Sequence, residues 1–107
     1  MGAPVERLVN AILMSALHKR ASLIVIAREQ IAFEVGGALH EEMRPPAMLH
    51  DALIERIAAM ADLPACGPGQ CAVGQIMLRI GGAREVTFAA EVSGHAEAAR
   101  AELRLLS

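Results

Sequence analysis

The chain is 107 residues long, 54% apolar and 21% charged, with a formal net charge of −2 and two aromatic residues, Phe33 and Phe88. This length fits one domain spanning residues 1–107, and so apolar a composition excludes a disordered chain. The lack of a basic excess and of stacking aromatics excludes a general nucleic-acid binder.

Pro4 suits the first position of a helix. After it, Val5, Leu8, Val9, Ile12, Leu13, Ala16 and Leu17 recur at steps of three and four, which predicts a helix over residues 4–19. His18, Lys19 and Arg20 fall in its last turn, where positive charge suits the helix dipole. A membrane span needs about 20 consecutive apolar residues. The stretch Leu8–Leu17 is interrupted by Asn10 and Ser15, and Glu6-Arg7 gives no net charge for a secretory signal. The sequence therefore predicts a soluble, cytoplasmic chain.

Leu23–Ala27 reads as a short buried strand. Ile31, Phe33 and Val35 alternate with Ala32 and Glu34 in a second, and Gly36-Gly37 signals a two-residue hairpin. Leu39–Met43 supplies a third strand. Pro45-Pro46 ends this meander and opens a second helix, whose apolar face is Leu49, Leu53, Ile57, Met60 and Ala61. A Gly- and Pro-rich loop over residues 63–72 leads to a strand over residues 73–80, a turn beginning at Gly81-Gly82, and a fifth strand carrying Val86, Phe88, Ala90 and Val92. Ala96–Leu106 is composed of strong helix formers, yet Ala101, Leu103 and Leu105 alternate with charged residues at the period of a strand. Sheet pairing overrides propensity here, and strand is the preferred reading. The order αβββαβββ predicts an α+β fold: a six-stranded, largely antiparallel sheet in two three-stranded halves, with two helices on one face.

No string in the chain assembles a catalytic group, and no cofactor or metal site is expected. The glycine pairs lack the Lys and hydroxyl residue of a phosphate-binding loop. His18, His40, His50 and His95 are widely spaced and read as surface or interface residues. Glu41 and Glu42, adjacent on a strand, face opposite ways and read as a solvated edge. Cys66 and Cys71 are separated by four residues, not the two common in zinc sites. Two unpaired thiols, a disulfide, and a metal or redox role all remain open for them.

Taken together, Val5-Glu6-Arg7-Leu8-Val9-Asn10-Ala11-Ile12-Leu13, Ala21-Ser22, Gly37-Ala38-Leu39-His40-Glu41, Pro45-Pro46, Ile54-Glu55-Arg56-Ile57, Met60-Ala61-Asp62-Leu63, Leu78-Arg79-Ile80-Gly81-Gly82 and Leu103-Arg104-Leu105-Leu106 resemble a known domain. It is the N-terminal, PAS-like (N2-type) subdomain of the GspE/PilB-type traffic ATPases of type II secretion and type IV pilus assembly. The resemblance runs from Val5 to Leu106. Where the family has Asp and His after its Ala-Ser, this chain has Leu23 and Val25. Where the family has arginines on the strand before the hairpin, it has Ile31-Ala32-Phe33-Glu34-Val35, and Gly36 replaces the acid of the turn. The family string Pro-Gln-Asp-Gly-Arg becomes Cys71-Ala72-Val73-Gly74-Gln75, and the family's Walker motifs and tetracysteine site are not in these 107 residues.

An arginine on a phosphate makes a charge-assisted, often bidentate contact that Ala or Gln cannot replace and that Glu would oppose. The resemblance with these departures implies a non-catalytic protein-interaction or regulatory module. Leu23, Val25, Ala32, Glu34 and Gln75 would form its contact surface. Its partner would be a secretion or pilus ATPase component, or a second copy. Two alternatives stand beside it: a domain cut from a longer ATPase-like protein, and a PAS-like small-ligand sensor. An enzyme survives only if Cys66 and Cys71 hide a catalytic group.

Overall fold

The computed structural model describes residues 4–64, 69–82, 84–94 and 99–106. Cys66 and His95 lie outside them. The elements in chain order are α1 (Pro4–His18), β1 (Leu23–Ala27), β2 (Gln30–Val35), β3 (Ala38–Met43), a single 3-10 turn (Ala47–Leu49), α2 (His50–Met60), β4 (Cys71–Ile80), β5 (Arg84–Ser93) and β6 (Arg100–Leu105). The α+β order αβββαβββ is the one the hydropathy pattern predicts.

The six strands make one antiparallel sheet in the order β3-β2-β1-β6-β5-β4. Each meander is a half of it, and the halves join where β1 pairs with β6, from Leu23 opposite Arg104 to Ile26 opposite Ala101. The ambiguous last segment thus becomes an interior strand bonded on both sides. Two ladders outweigh the helix propensity of its Ala, Glu, Arg and Leu residues. Gly36 and Gly37 both take positive φ (62° and 84°) with Val35 opposite Ala38, the two-residue turn their sequence signals.

On one face Ile24, Ile26, Ile31, Phe33, Ile76, Val86, Phe88, Ala90, Val92, Ala101 and Leu103 project into a single core. Val9, Ile12, Leu13 and Ala16 of α1 and Leu53, Ile54 and Ile57 of α2 close it from above. Both phenylalanines are fully buried there. Lys19 pairs with Glu42, tying the end of α1 to β3, and Arg56 reaches Glu6 at 3.6 Å between the two helices.

Both helices end on the same device. After α1, Arg20 turns left-handed (φ 58°), its N–H donates to Leu17 O, and Ala21 N–H donates to Ala16 O. After α2, Asp62 (φ 56°) and Leu63 donate likewise to Ala59 O and Ala58 O. These are Schellman closures, which usually place glycine at the left-handed position. The basic triplet does close α1, but by Lys19 pairing and Arg20 backbone geometry. The second helix begins later than its proline signal implies. The chain first makes the 3-10 turn straight after Pro46, with Leu49 N–H donating to Pro46 O, and α2 proper opens at His50.

His50 departs from the surface role expected of it. It is 2% exposed, and its Nε2 lies 2.5 Å from the carbonyl of Ala99, so the ring donates from Nε2 and pins the entry to β6 onto α2. Its Nδ1 is buried without a partner among the described residues.

Gly74 sits on the core face of β4 under the end of α2. A Cβ there would stand 2.8 Å from Ala61 O and 2.9 Å from Leu63 Cδ2. Because one of these is backbone, Gly74→Ala is expected to destabilise by about 1–3 kcal/mol, the range of overpacked cores, read as a fall in the chemical-denaturation midpoint. Asp62→Gly should act in the opposite sense. It relieves a left-handed L-residue and removes a carboxylate from a helix C-terminus, for a net gain of about 0.5–1 kcal/mol by the same measurement.

Candidate functional site

The sheet face turned away from the helices has no described element across it. Strand alternation puts there the residues that interleave with the core set. Cross-strand register arranges them in rows. One row runs Leu39, Glu34, Leu23, Arg104, Ala89, Gln75 across all six strands. The next runs Glu41, Ala32, Val25, Glu102, Glu91, Val73. All five residues singled out from the sequence, Leu23, Val25, Ala32, Glu34 and Gln75, therefore fall in two adjacent rows of one face, although more than fifty positions separate the first from the last.

Their accessibility differs. Val25 is 7% exposed and Ala32 3%, yet neither belongs to the helix-side core. They are small side chains in mid-sheet, flanked by longer neighbours on adjoining strands, and they form the floor of the face. Leu23 and Glu34 are half-buried, and Gln75 is exposed. The accessible apolar area comes from residues that sequence reasoning did not select: Leu39 (56% exposed), Val73 (69%) and Met77 (61%). The detectable signal was an apolar residue at an outward register position on an edge strand. Ala89, small and central, leaves a shallow depression bordered by Leu23, Val73, Glu91, Glu102 and Arg104.

The charges of this face are mixed: Glu34, Glu41, Glu85, Glu91 and Glu102 share it with Arg79, Arg100 and Arg104. Glu34 accepts a 2.8 Å hydrogen bond from the Ser22 hydroxyl, and Glu41 is held by Arg44 at 2.8 Å. Glu102 lies 3.5 Å from Arg100 on the same strand, and Cys71 Sγ lies 3.3 Å from Glu91 Oε2. Glu91 and Glu102 stand directly opposite one another on β5 and β6. Like charges so placed repel. Arg104 lies in the row between Leu23 and Ala89 and borders the depression. Among the described residues no group of three or more His, Cys, Asp and Glu is arranged to hold a metal ion, and no helix is long and apolar enough to cross a membrane.

The architecture defines a class: an α+β domain with two helices on one face of a six-stranded antiparallel sheet. Comparison with known proteins identifies the family. Residues 2–107 match the family described as T2SSE, type II/IV secretion system protein, and the chain belongs to it. It is 40% identical over 109 residues to type II secretion system protein E of Klebsiella pneumoniae, covering 97% of this chain and 22% of that protein. It is 35% identical over 108 residues to the type IV pilus assembly ATPase PilB of Myxococcus xanthus, covering 97% of this chain and 19% of PilB. The chain thus spans about a fifth of the length of the curated relatives it matches.

Among solved structures, the Legionella pneumophila ATPase DotB superposes with a TM-score of 0.69 at 20% identity, over 92% of this chain and 29% of that one. The pilus retraction motor PilT with bound ADP gives 0.66 at 16% identity, over 100% and 30%. These two likenesses concern the fold. The sequence resemblance to the N-terminal domain of the type II secretion and type IV pilus ATPases and the family match agree.

The opposed carboxylates yield a prediction. Glu91→Gln should raise stability by about 0.2–1 kcal/mol at neutral pH. The gain should shrink at high salt, as screening predicts, and thermal unfolding at two ionic strengths measures both effects.

Proposed function

We propose that this chain is a non-catalytic, cytoplasmic protein-interaction module, residues 1–107 acting as one domain, and that the helix-free sheet face is its contact surface. The partner is a polypeptide of the secretion or pilus motor machinery. The observation that carries the reading is the convergence on one face of Leu23, Val25, Ala32, Glu34 and Gln75, positions at which the resembled domain carries charge. Val25 and Ala32 give this face an apolar floor beside Leu23 and Leu39, with Glu34, Glu41 and Glu102 around it. Apolar centres with polar rims suit protein association, and these carboxylates favour a partner that presents basic side chains.

The test uses three measurements on the purified chain. Leu23→Lys combined with Leu39→Lys is expected to weaken binding to the cognate motor protein by tenfold or more, equivalent to at least about 1.4 kcal/mol, as read by calorimetry. Parent and variant should show the same unfolding midpoint. Magnesium-ATP should give no saturable binding. Saturable ATP binding, displaced by ADP and abolished by Arg79→Ala or Arg84→Ala, would overturn the reading.

A second reading is favoured by the share of the relatives that the chain covers. As a fifth of a PilB-length protein, it would act as a domain whose open face packs against another part of the same polypeptide. Attaching the following reading frame and finding the face protected from hydrogen exchange within one molecule would favour that arrangement over a separate partner.

A further inference from the structure

β4 is an end strand of the sheet, and along its ten residues Arg79 is the only charged side chain. Natural edge strands are normally blunted by charge, proline or bulges. The opposite edge, β3, has this protection in Glu41, Glu42 and a register shift facing Ile31 and Ala32. β4 contains no proline and pairs with β5 over ten consecutive positions without a shift.

The direction of its backbone groups can be deduced. Leu106 N–H donates to Thr87 O, and Gly94 N–H donates to Gln70 O. Backbone groups alternate along a strand. Thr87, Ala89 and Glu91 therefore turn theirs to β6, and Val86, Phe88, Ala90 and Val92 turn theirs to β4. Their partners Leu78, Ile76, Gly74 and Ala72 bond inward. Val73, Gln75, Met77 and Arg79 are left directing N–H and C=O out of the sheet edge, with their side chains on the open face.

We propose that a second copy of this chain pairs antiparallel along β4, about a two-fold axis through Gln75. In that register Gln75 meets Gln75 of the second copy, and Val73 meets Met77 of the second copy, twice over. Amide faces amide, and the two most exposed apolar side chains of β4 cover each other. Moving the axis to Ile76 would set Val73 against Arg79 and Gln75 against Met77, so the sequence is self-complementary about Gln75 and not about its neighbour. The register also places Arg79 of the second copy opposite Cys71, whose Sγ lies 3.3 Å from a Glu91 carboxylate oxygen. A cation thereby approaches the carboxylate that Glu102 repels. The product is a continuous sheet with both pairs of helices on one side. This proposal does not depend on the motor-binding reading: it rests on the edge backbone of β4, whereas the motor-binding test is made at Leu23 and Leu39 on β1 and β3.

Sedimentation of the chain over a concentration series should show a reversible dimer. Gln75→Pro removes an outward N–H and leaves the β4–β5 ladder intact, so the fold should persist, as checked by circular dichroism. Its dimer dissociation constant should rise by more than about tenfold, the scale of two lost hydrogen bonds. Leu23→Lys with Leu39→Lys should leave the dimer unchanged.

A cysteine test fixes the register, in a background with Cys66→Ser and Cys71→Ser. Residues bonded directly across a ladder have Cα atoms about 5.5 Å apart, within disulfide range. Gln75→Cys should therefore cross-link the dimer on mild oxidation. Val73→Cys alone should not, because the two copies of that residue lie about 13 Å apart along the strands, whereas Val73→Cys with Met77→Cys should. A chain that is monomeric throughout the series would overturn the proposal. So would a dimer that fails to cross-link through Gln75→Cys, or one that a folded Gln75→Pro variant forms as tightly as the parent.

Discussion

The ladder between β1 and β6 is the contact on which the rest of the molecule depends. It joins two meanders far apart in the chain, and it does so in one register: Ile24 beside Leu103 and Ile26 beside Ala101. Because side chains alternate with period two, a slip of one residue would turn the core set of one half to the open side. The observed register sets the apolar stripes of both halves under the same pair of helices. It also aligns the outward residues of β1 and β2 with those of β5 and β4, which is why a candidate surface exists at all. Leu23 and Gln75 belong to one row only through Arg104 and Ala89.

Much of this was legible in the sequence because the local signals agreed with the tertiary solution. Alternation in Ile31-Ala32-Phe33-Glu34-Val35 and in Val86–Val92 assigned each side chain to a face, and paired glycines marked hairpins. β6 was harder to read. Its composition favours a helix, and only its two neighbouring strands, β5 just before it and β1 near the other end of the chain, resolve the conflict. The helix ends were also opaque. Arg20 and Asp62 carry no sequence sign of left-handed geometry, and the closures are enforced by where Ala21 and Leu63 must enter the core. His50 looked like a surface residue because nothing local reveals that Ala99, 49 positions away, will offer its carbonyl.

The candidate face was legible as a set of positions and less so as a surface. The resemblance to secretion-motor domains picked out residues that replace charge, and the register gathers them. What a single sequence could not supply was accessibility. Val25 and Ala32 are outward by alternation yet nearly covered, because mid-sheet positions are shielded by longer side chains on adjoining strands. Leu39, Val73 and Met77 are outward on edge strands, where one flank has no neighbour, and so remain open. The apolar surface of such a sheet therefore concentrates at its two ends, with a charged middle between them.

That distribution bears on how one small sheet can hold two surfaces. At β4, side chains and backbone point in different directions: Val73 and Met77 present apolar groups to the open face while their amides point out of the edge. A contact made through the face draws on side-chain area and charge, and one made through the edge draws on backbone hydrogen bonds with the side chains setting register. On the helix side the same strand is constrained by Gly74, where the end of α2 leaves no room for a Cβ. β4 is thus fixed from within by steric contact and from one flank by β5. A strand held so firmly in a single register presents an ordered edge, and little conformational entropy is lost when another strand pairs with it.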